Sequence, residues 1–489
     1  MTHNIAGLKD SSLLKTQALV GGHWLDANDG RSTPVLDPAD GSEIARVPNM
    51  GVAETRRAIL AAQQALTDWR TRTADERSRV LRRWYDLMIE SVDDLALLIT
   101  REQGKPLAEA RAEIAYSAAY IEWYAEEARR INGEVLASPW RDRRIVVTRE
   151  PVGVCAAITP WNFPSAMLAR KAAPALAAGC TMIVKPAPQT PLSALALAVL
   201  GERAGLPPGV LSVVTGDALE IGGELTANPV VRKLSFTGST QVGRVLSAQC
   251  APTLKKLSME LGGNAPVIVF DDADLDVAVE GVLAAKFRNA GQACVAANRI
   301  LVQAGVFDVF AERLAEAVGK LVVGRGTDPG VAVGPLIDRN ALAKVEHLLA
   351  DARAQGARVL TGGRPHELGG TFFQPTVVAG ANTSMRMAHE EIFGPLAPLY
   401  RFETEDEAVA LANDTEAGLA AYFFSRDLRR CWRVGERLAT GMVGVNTGAI
   451  STAVAPFGGV KQSGQGREGS SHGIADYLDL KYWCLGAIA

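Results

Sequence analysis

The sequence predicts an α/β protein built from two doubly wound domains with a small β arm attached. Three observations carry that reading. From residue 151 short apolar strands alternate with helices at the spacing of βα units, through VGVCAAITP, TMIVKP, VLSVVTG and RKLSFTGS. The alternation starts again at RILVQ and runs to VGVNTG, which makes a second α/β unit. Two stretches of period two, RRIVVTRE and DYLDLKYWC, belong to neither run. A length of 489 residues leaves room for two or three domains. The expected division is 12–133 with 151–261 for the first domain, 262–455 for the second, and 134–150 with 471–489 for the arm.

Composition narrows the function. Hydrophobic residues make up 48% and charged residues 21%, which gives a globular chain with an ample core. The net charge of −3 offers no electrostatic footprint for nucleic acid. No apolar run reaches membrane-spanning length, and the first residues lack the apolar core of a secretory signal. The six cysteines are scattered, with no CxxC and no paired Cys/His spacing. That argues against a metal site and a disulfide scaffold, and for a reducing cytoplasm. HExxH, Walker A and GxSxG patterns are absent from the sequence.

Along the chain, 18–28 and 33–47 read as a short β-rich opening. Three amphipathic helices are expected next, with stripes Ala58–Ile59–Ala62–Trp69, Leu81–Trp84–Met88 and Ala110–Ile114–Ala118–Ile121. These stripes are plain core packing. Asn132-Gly133 stops the third helix, and the strand 143–150 follows. Two exposed strands of this kind need partners. Either the arm strands are swapped between subunits or they form an ordinary sheet within one chain.

In the first α/β unit the carboxyl ends of the strands are Thr159-Pro160-Trp161-Asn162, Lys185-Pro186, Thr215-Gly216 and Phe236-Thr237-Gly238-Ser239. Ligands of doubly wound sheets bind beyond such ends. Gly238-Ser239 lies between a strand and a helix, so free N–H groups and the helix dipole favour a pyrophosphate there. A simple N-cap reads the same way.

The stretch Leu257–Arg299 joins the two units. LSMEL alternates as a half-buried strand and ends at Gly262-Gly263, which leaves Glu260 just before a sharp turn. APVIVF is a buried strand, and Asp271 or Asp272 is placed to cap the next helix. That helix breaks at Asn289-Ala290-Gly291, and Cys294 follows. Spacing alone does not say whether the carboxylate and the thiol meet. A lone cysteine among Ala and Val is usually a small core residue, and a lone strand Glu is usually solvated. Agreement with the other signals turns the reading toward a cleft between domains.

TPWNFP (159–164), KPAPQTP (185–191), FTGST (236–240), ELGGNAP (260–266), GQAC (291–294), EEIFGP (390–395) and PFGGVKQSGQGREG (456–469) occur in this order. Together they resemble the aldehyde dehydrogenase superfamily from end to end. RKLSFTGST, FRNAGQACVAANR and GIADYLDLKYWC are similar to its succinate-semialdehyde dehydrogenase branch. The resemblance implies a Rossmann-type cofactor domain, a catalytic domain and an oligomerisation arm, in a homo-oligomer that is a dimer or a dimer of dimers. It implies Cys294 as nucleophile, Asn162 with the Cys294 N–H as oxyanion donors, and Glu260 as general base for thioester hydrolysis.

For the cofactor, the resemblance points to Lys185 at the adenosine ribose and Glu391 at the nicotinamide ribose, beside Phe393. Trp161, Gly238, Ser239 and the Leu261 backbone line the rest. Many NAD-using members carry a glutamate three residues after that lysine. Pro188 stands here instead, so no carboxylate repels a 2′-phosphate, and NADP is expected over NAD. Arg170, Arg288 and Ser451 match the branch's residues for the far carboxylate of a semialdehyde. Succinate semialdehyde is the expected substrate. Glutarate semialdehyde, one methylene longer, is the alternative, since a methylene discriminates by only about 1–3 kcal/mol. The branch implies a place in 4-aminobutyrate catabolism.

Close relatives often carry Cys-x-Cys at the nucleophile, but residue 296 is Ala, so no intramolecular disulfide switch is expected. Two readings compete with this one. A thiol ester hydrolase using Cys294 and Glu260 leaves Lys185, Gly238-Ser239 and Glu391 unexplained. A non-catalytic relative leaves Cys294, Glu260 and Asn162 unexplained together.

Overall fold

The computed structural model describes residues 5–487. Its first sheet has eight strands, in the order Gly464–Gln465, Lys256–Glu260, Val231–Thr237, Val154–Ile158, Thr181–Lys185, Leu211–Val213, Ala18–Val20 and His23–Leu25. The run from Lys256–Glu260 to Leu211–Val213 is parallel, and antiparallel strands close both ends. The chain steps outward from Val154–Ile158 to Leu211–Val213, then returns to the other side of Val154–Ile158 with Val231–Thr237. Strand order therefore reverses between Val154–Ile158 and Val231–Thr237, and a crevice opens beyond their carboxyl ends.

Two helices behind this sheet, Pro164–Ala178 and Pro191–Arg203, are apolar on nearly every face, which fits full burial. Every residue of Pro164–Ala178 is buried, Arg170 and Lys171 included. The second sheet runs Arg358–Thr361, Thr376–Ala381, Leu396–Phe402, Ala297–Gln303, Ala265–Val269, Ala420–Phe424 and Met442–Val445, parallel except at Arg358–Thr361. Glu260 ends a strand of the first sheet and Ala265 starts one of the second, so Leu261–Asn264 crosses from one to the other.

Two local expectations are corrected, and the arm strands take one of the two arrangements open to them. Four helices, not three, follow the opening: Val92–Gln103 stands between the second and third expected ones, set off from its predecessor by Ser91 alone. Its Leu95, Leu98 and Ile99 join the same core. The cap of helix Leu275–Phe287 is Asp274, whose side chain accepts from the Asp276 and Val277 N–H groups. Asp272 is held elsewhere, accepting from Ser425 Oγ and the Arg426 and Asp427 N–H groups and pairing with Arg430 at 2.6 Å. The arm strands Arg144–Pro151 and Leu478–Leu485 pair antiparallel within one chain, from Leu478↔Pro151 to Leu485↔Arg144, with Glu134–Leu136 on the far side. No exchange between subunits is needed to satisfy them.

Candidate active site

The loop that carries Cys294 is built by left-handed backbone. Asn289 and Ala290 have φ of 53° and 55°, and Gly291 follows at 75°. Only glycine takes this region without strain, and at Gly291 a β-carbon would stand 2.2 Å from the Gly394 carbonyl oxygen. The turn ends the helix Leu275–Phe287 and lays Cys294 against the crossing segment: a β-carbon on Gly263 would be 2.3 Å from Cys294 O. Thus the glycine pair after Glu260 and the turn before Cys294 pack backbone to backbone.

Cys294 sits where two cavities meet. One, of about 390 Å³, is lined by Trp161, Asn162, Gly238, Ser239, Glu260, Leu261, Glu391 and Phe393 together with Cys294. The other, of about 230 Å³, is lined by Arg170, Arg288, Ser451, Phe163, Phe457 and again Cys294. The structure therefore brings Cys294, Glu260 and Asn162 to one place, and Arg170, Arg288 and Ser451 to the other side of the same sulfur.

Asn162 is held from several directions. Its Nδ2 donates to Gln292 O at 3.1 Å, and its own carbonyl accepts from Lys105 Nζ at 2.7 Å and Asn289 Nδ2 at 3.0 Å. Lys105 is fully buried and pairs with Glu113 at 2.6 Å, while Glu113 Oε1 accepts the Ser165 and Ala166 N–H groups at the start of the next helix. One Nδ2 hydrogen remains free for a ligand. The Cys294 N–H makes no hydrogen bond among the described residues, so it too is available to a ligand.

The charges around the sulfur are strongly perturbed. Burial pushes the Cys294 thiol up to about 12, with Glu391 and Glu260 adding to it and Arg170 and Arg288 opposing. Burial also raises the Glu260 carboxyl well above its ordinary range, and the neighbouring Glu468 charge adds to that, against Arg170, Lys171 and Arg467. Burial works to raise Glu468 too, but Arg170 and Lys171 outweigh it and hold that carboxyl low. Arg170 meets Glu468 at 2.6 Å and lies 3.9 Å over the Phe457 ring, while Lys171 bonds both Glu468 and Thr237. Arg170 thus faces the smaller cavity with its charge already compensated. Arg288 is exposed at the mouth, 5.2 Å over the Phe163 ring, and has no ion pair among the described residues.

The larger cavity fits a dinucleotide. At Gly238 a β-carbon would stand 2.4 Å from the Phe236 ring, so bare backbone borders the cavity at the N-terminus of helix Thr240–Cys250, which Ser239 caps. Such an end attracts a pyrophosphate. The Leu261 N–H is used by Ser463 O at 3.0 Å, which leaves its carbonyl for a ligand. Glu391 Oε1 accepts from Gly263 N at 3.0 Å. Phe393, at φ 52°, stacks edge-on against Trp161 at 5.5 Å. Lys185 is buried at the end of its strand and donates to Pro186 O at 3.1 Å; burial pushes its ammonium down to about 8 against the pull of Asp217. Pro188 lines an adjoining cleft with Gln189 and Arg339 that shares Ile337 and Asp338 with the larger cavity.

Lys105, Glu113, Lys171, Glu468 and Lys286 were not reached from the sequence. The signal was present for one of them, since Arg170-Lys171 stands in an otherwise apolar helix. A charge placed there is buried and must be paired or functional.

A family profile described as the aldehyde dehydrogenase family matches residues 24–483. The chain is 61% identical over 481 residues to a glutarate-semialdehyde dehydrogenase of Pseudomonas aeruginosa, covering 98% of this chain and 100% of that one. It is also 61% identical over 479 residues to an NADP(+) succinate-semialdehyde dehydrogenase of Escherichia coli, covering 98% of this chain and 99% of the relative. The crystal structure of a succinate-semialdehyde dehydrogenase from Burkholderia pseudomallei superposes with a TM-score of 0.98 at 62% identity, covering 98% of this chain and 100% of that one. On this agreement of sequence and fold along nearly its whole length, the chain belongs to the aldehyde dehydrogenase family.

Proposed function

We propose that this protein oxidises succinate semialdehyde to succinate with NADP in preference to NAD. The observation that carries the reading is the position of Cys294 between a cavity bordered by Gly238, Ser239 and Glu391 and a small cavity bordered by Arg170, Arg288 and Ser451. The aldehyde enters the small cavity with its carboxylate toward Arg288 and Ser451. The Cys294 thiol, which burial holds protonated, gives its proton to water in the cavity, the sulfur attacks the carbonyl carbon, and the oxygen that takes up the electron pair receives hydrogen bonds from Asn162 Nδ2 and the Cys294 N–H. The dinucleotide, when bound, supplies the hydride acceptor that lets this thiohemiacetal become a thioester. Glu260 then takes a proton from the attacking water, and the carbon–sulfur bond breaks to release the acid.

Several features support the finer points. With Pro188 in place of a carboxylate, nothing at that position repels a 2′-phosphate, and Lys185 lies three residues earlier. The exposed Val135, Leu480, Tyr482 and Trp483 on the arm sheet suit a second copy of the chain, in a dimer or tetramer. No helix among the described residues is long and apolar enough to cross a membrane, in keeping with a cytoplasmic enzyme.

Glutarate semialdehyde is the second reading, favoured by Arg288 standing exposed at the cavity mouth, where it can follow a longer chain. A panel of semialdehydes of three to six carbons, assayed with NADP and NAD by the absorbance of the reduced nicotinamide, tests both. The highest kcat/KM is expected for succinate semialdehyde with NADP. Equal turnover of aldehydes lacking a carboxylate, or a ratio favouring NAD, overturns the corresponding part.

A further inference from the structure

The turn that delivers Cys294 is strained, and its surroundings must hold it. Asn289 and Ala290 stand at φ 53° and 55°, where a residue with a side chain persists only if its neighbours fix it. Asn289 is buried, and its hydrogen bonds show what does so. Its Nδ2 donates to Asn162 O at 3.0 Å and to Gln292 O at 3.2 Å, and its carbonyl accepts from Gln292 Nε2 at 3.1 Å. Its backbone N–H turns away from the loop and donates to Glu109 Oε2 at 2.7 Å, 180 residues distant in sequence. Glu109 lies in the first turn of the helix Leu107–Glu127. Lys105 and Glu113, four residues to either side of it, grip the segment of Asn162.

We propose that Glu109 is a positioning residue for the oxyanion donors: by fixing the Asn289 N–H it sets where Asn162 Nδ2 and the Cys294 N–H point. The inference rests on the roles given above to Cys294 and Asn162. One Nδ2 hydrogen of Asn162 goes to Gln292 O at 3.1 Å, the carbonyl that also takes Asn289 Nδ2. Asn289 therefore helps to place the acceptor that orients the Asn162 amide, and the other Nδ2 hydrogen is left for the developing charge. Gln292 in turn stands two residues before Cys294. One end of one helix thus holds both donors, Asn162 through Lys105 and Glu113 and the loop of Cys294 through Glu109. Without the carboxylate the Asn289 N–H is left buried without its acceptor, and the strained turn loses a contact that keeps it in place.

The test compares two reactions of the same sulfur, each followed on the Cys294 peptide by mass spectrometry. p-Nitrophenyl acetate acylates a thiol through an oxyanion: the sulfur attacks the acyl carbon, p-nitrophenolate leaves with the electron pair, and the thiol proton goes to water. Iodoacetamide alkylates it by displacing iodide at a saturated carbon, with no oxyanion. Neither needs a dinucleotide or a semialdehyde. Glu109→Met keeps the volume and removes the carboxylate, so acetylation is expected to slow by roughly tenfold while alkylation stays within about twofold of wild type. Glu109→Gln keeps an oxygen for the Asn289 N–H and restores the wild-type ratio of the two rates. If Glu109→Met does not accumulate, Glu109→Asp draws the carboxylate back by one methylene and must shift the ratio the same way to a smaller extent. An unchanged ratio, including two rates that fall in parallel, overturns this inference, and so does Glu109→Gln falling as far as Glu109→Met. A wild-type Cys294 that takes neither reagent overturns the assignment of the nucleophile itself.

Discussion

Gly263 and Cys294 touch through their backbones: there is no room for a β-carbon on the first, because it would stand 2.3 Å from the carbonyl oxygen of the second. This contact fixes the distance between the strand that ends at Glu260 and the loop that carries the sulfur. Gly263→Ala is therefore expected to push the loop away, since backbone cannot yield as a flexible side chain does. Overpacking of this kind destabilises by about 1 to 3 kcal/mol. Turnover should fall further than stability, because a displacement of about 1 Å costs on the order of a hundredfold in a well-oriented site. Thermal melts and kcat on the same preparation check it; an unchanged kcat would show that the loop is positioned by other contacts.

Glu468 compensates two buried cations, Arg170 at 2.6 Å and Lys171. Replacing it with glutamine leaves both unpaired, and breaking a buried pair by removing one partner costs about 3 to 5 kcal/mol. The pH dependence has a definite sign. Its carboxyl is held low in the folded state by Arg170 and Lys171 despite burial, so its stabilisation is present above the unfolded value and is lost as pH falls through the folded one. Wild type should lose stability in acid through this group, and Glu468→Gln should lack that component. Denaturant melts of both proteins from acid to neutral pH decide the matter.

Much of this arrangement was legible in the sequence, and the missing parts have physical causes. Glycine turns announced where Glu260 and Cys294 are presented, because a positive φ or a close backbone approach selects glycine locally. Their meeting was not legible, since one residue ends a strand of the first sheet and the other precedes a strand of the second. Helix Val92–Gln103 was missed because Ser91 alone parts it from the helix before, with no glycine or proline to mark the break. Asp272 looked like a cap until Arg430 and the loop 425–427, far off in sequence, claimed its oxygens. Lys171 and Glu468, 297 residues apart, form a pair that no local pattern announces.

Pro188 offers a test of cofactor choice. Pro188→Glu should place a carboxylate beside the ribose that carries the 2′-phosphate, three residues after Lys185. Like charges brought together at an interface cost several kcal/mol when desolvated. Partly solvated, the effect is expected to be a rise of roughly tenfold or more in the KM for NADP, about 1.4 kcal/mol, with little change for NAD. Initial rates with both nucleotides measure it. Equal changes for the two would mean that position 188 does not face the 2′ position.

Glu260 supplies the last prediction. Burial first and the Glu468 charge second raise its carboxyl well above the ordinary range, against Arg170, Lys171 and Arg467, so it holds its proton more tightly than an ordinary carboxyl. A general base must be free of that proton, so deacylation, and kcat if deacylation limits it, should rise with pH above the range where an ordinary carboxyl ionises. Glu260→Gln has no proton to lose. It should still form the acyl enzyme, giving a burst of about one reduced nucleotide per site and then almost no turnover. The stability effect runs the other way from that of Glu468. A carboxyl with a raised folded-state pKa contributes fully below the unfolded value of about 4.3 and loses that contribution as pH rises through the folded one. Glu260→Gln should therefore match wild type in acid and melt higher than wild type once pH has risen past the folded-state value. Stopped-flow bursts together with melts across the same pH range test both halves, and steady turnover with the wild-type pH profile would remove Glu260 from the hydrolytic step.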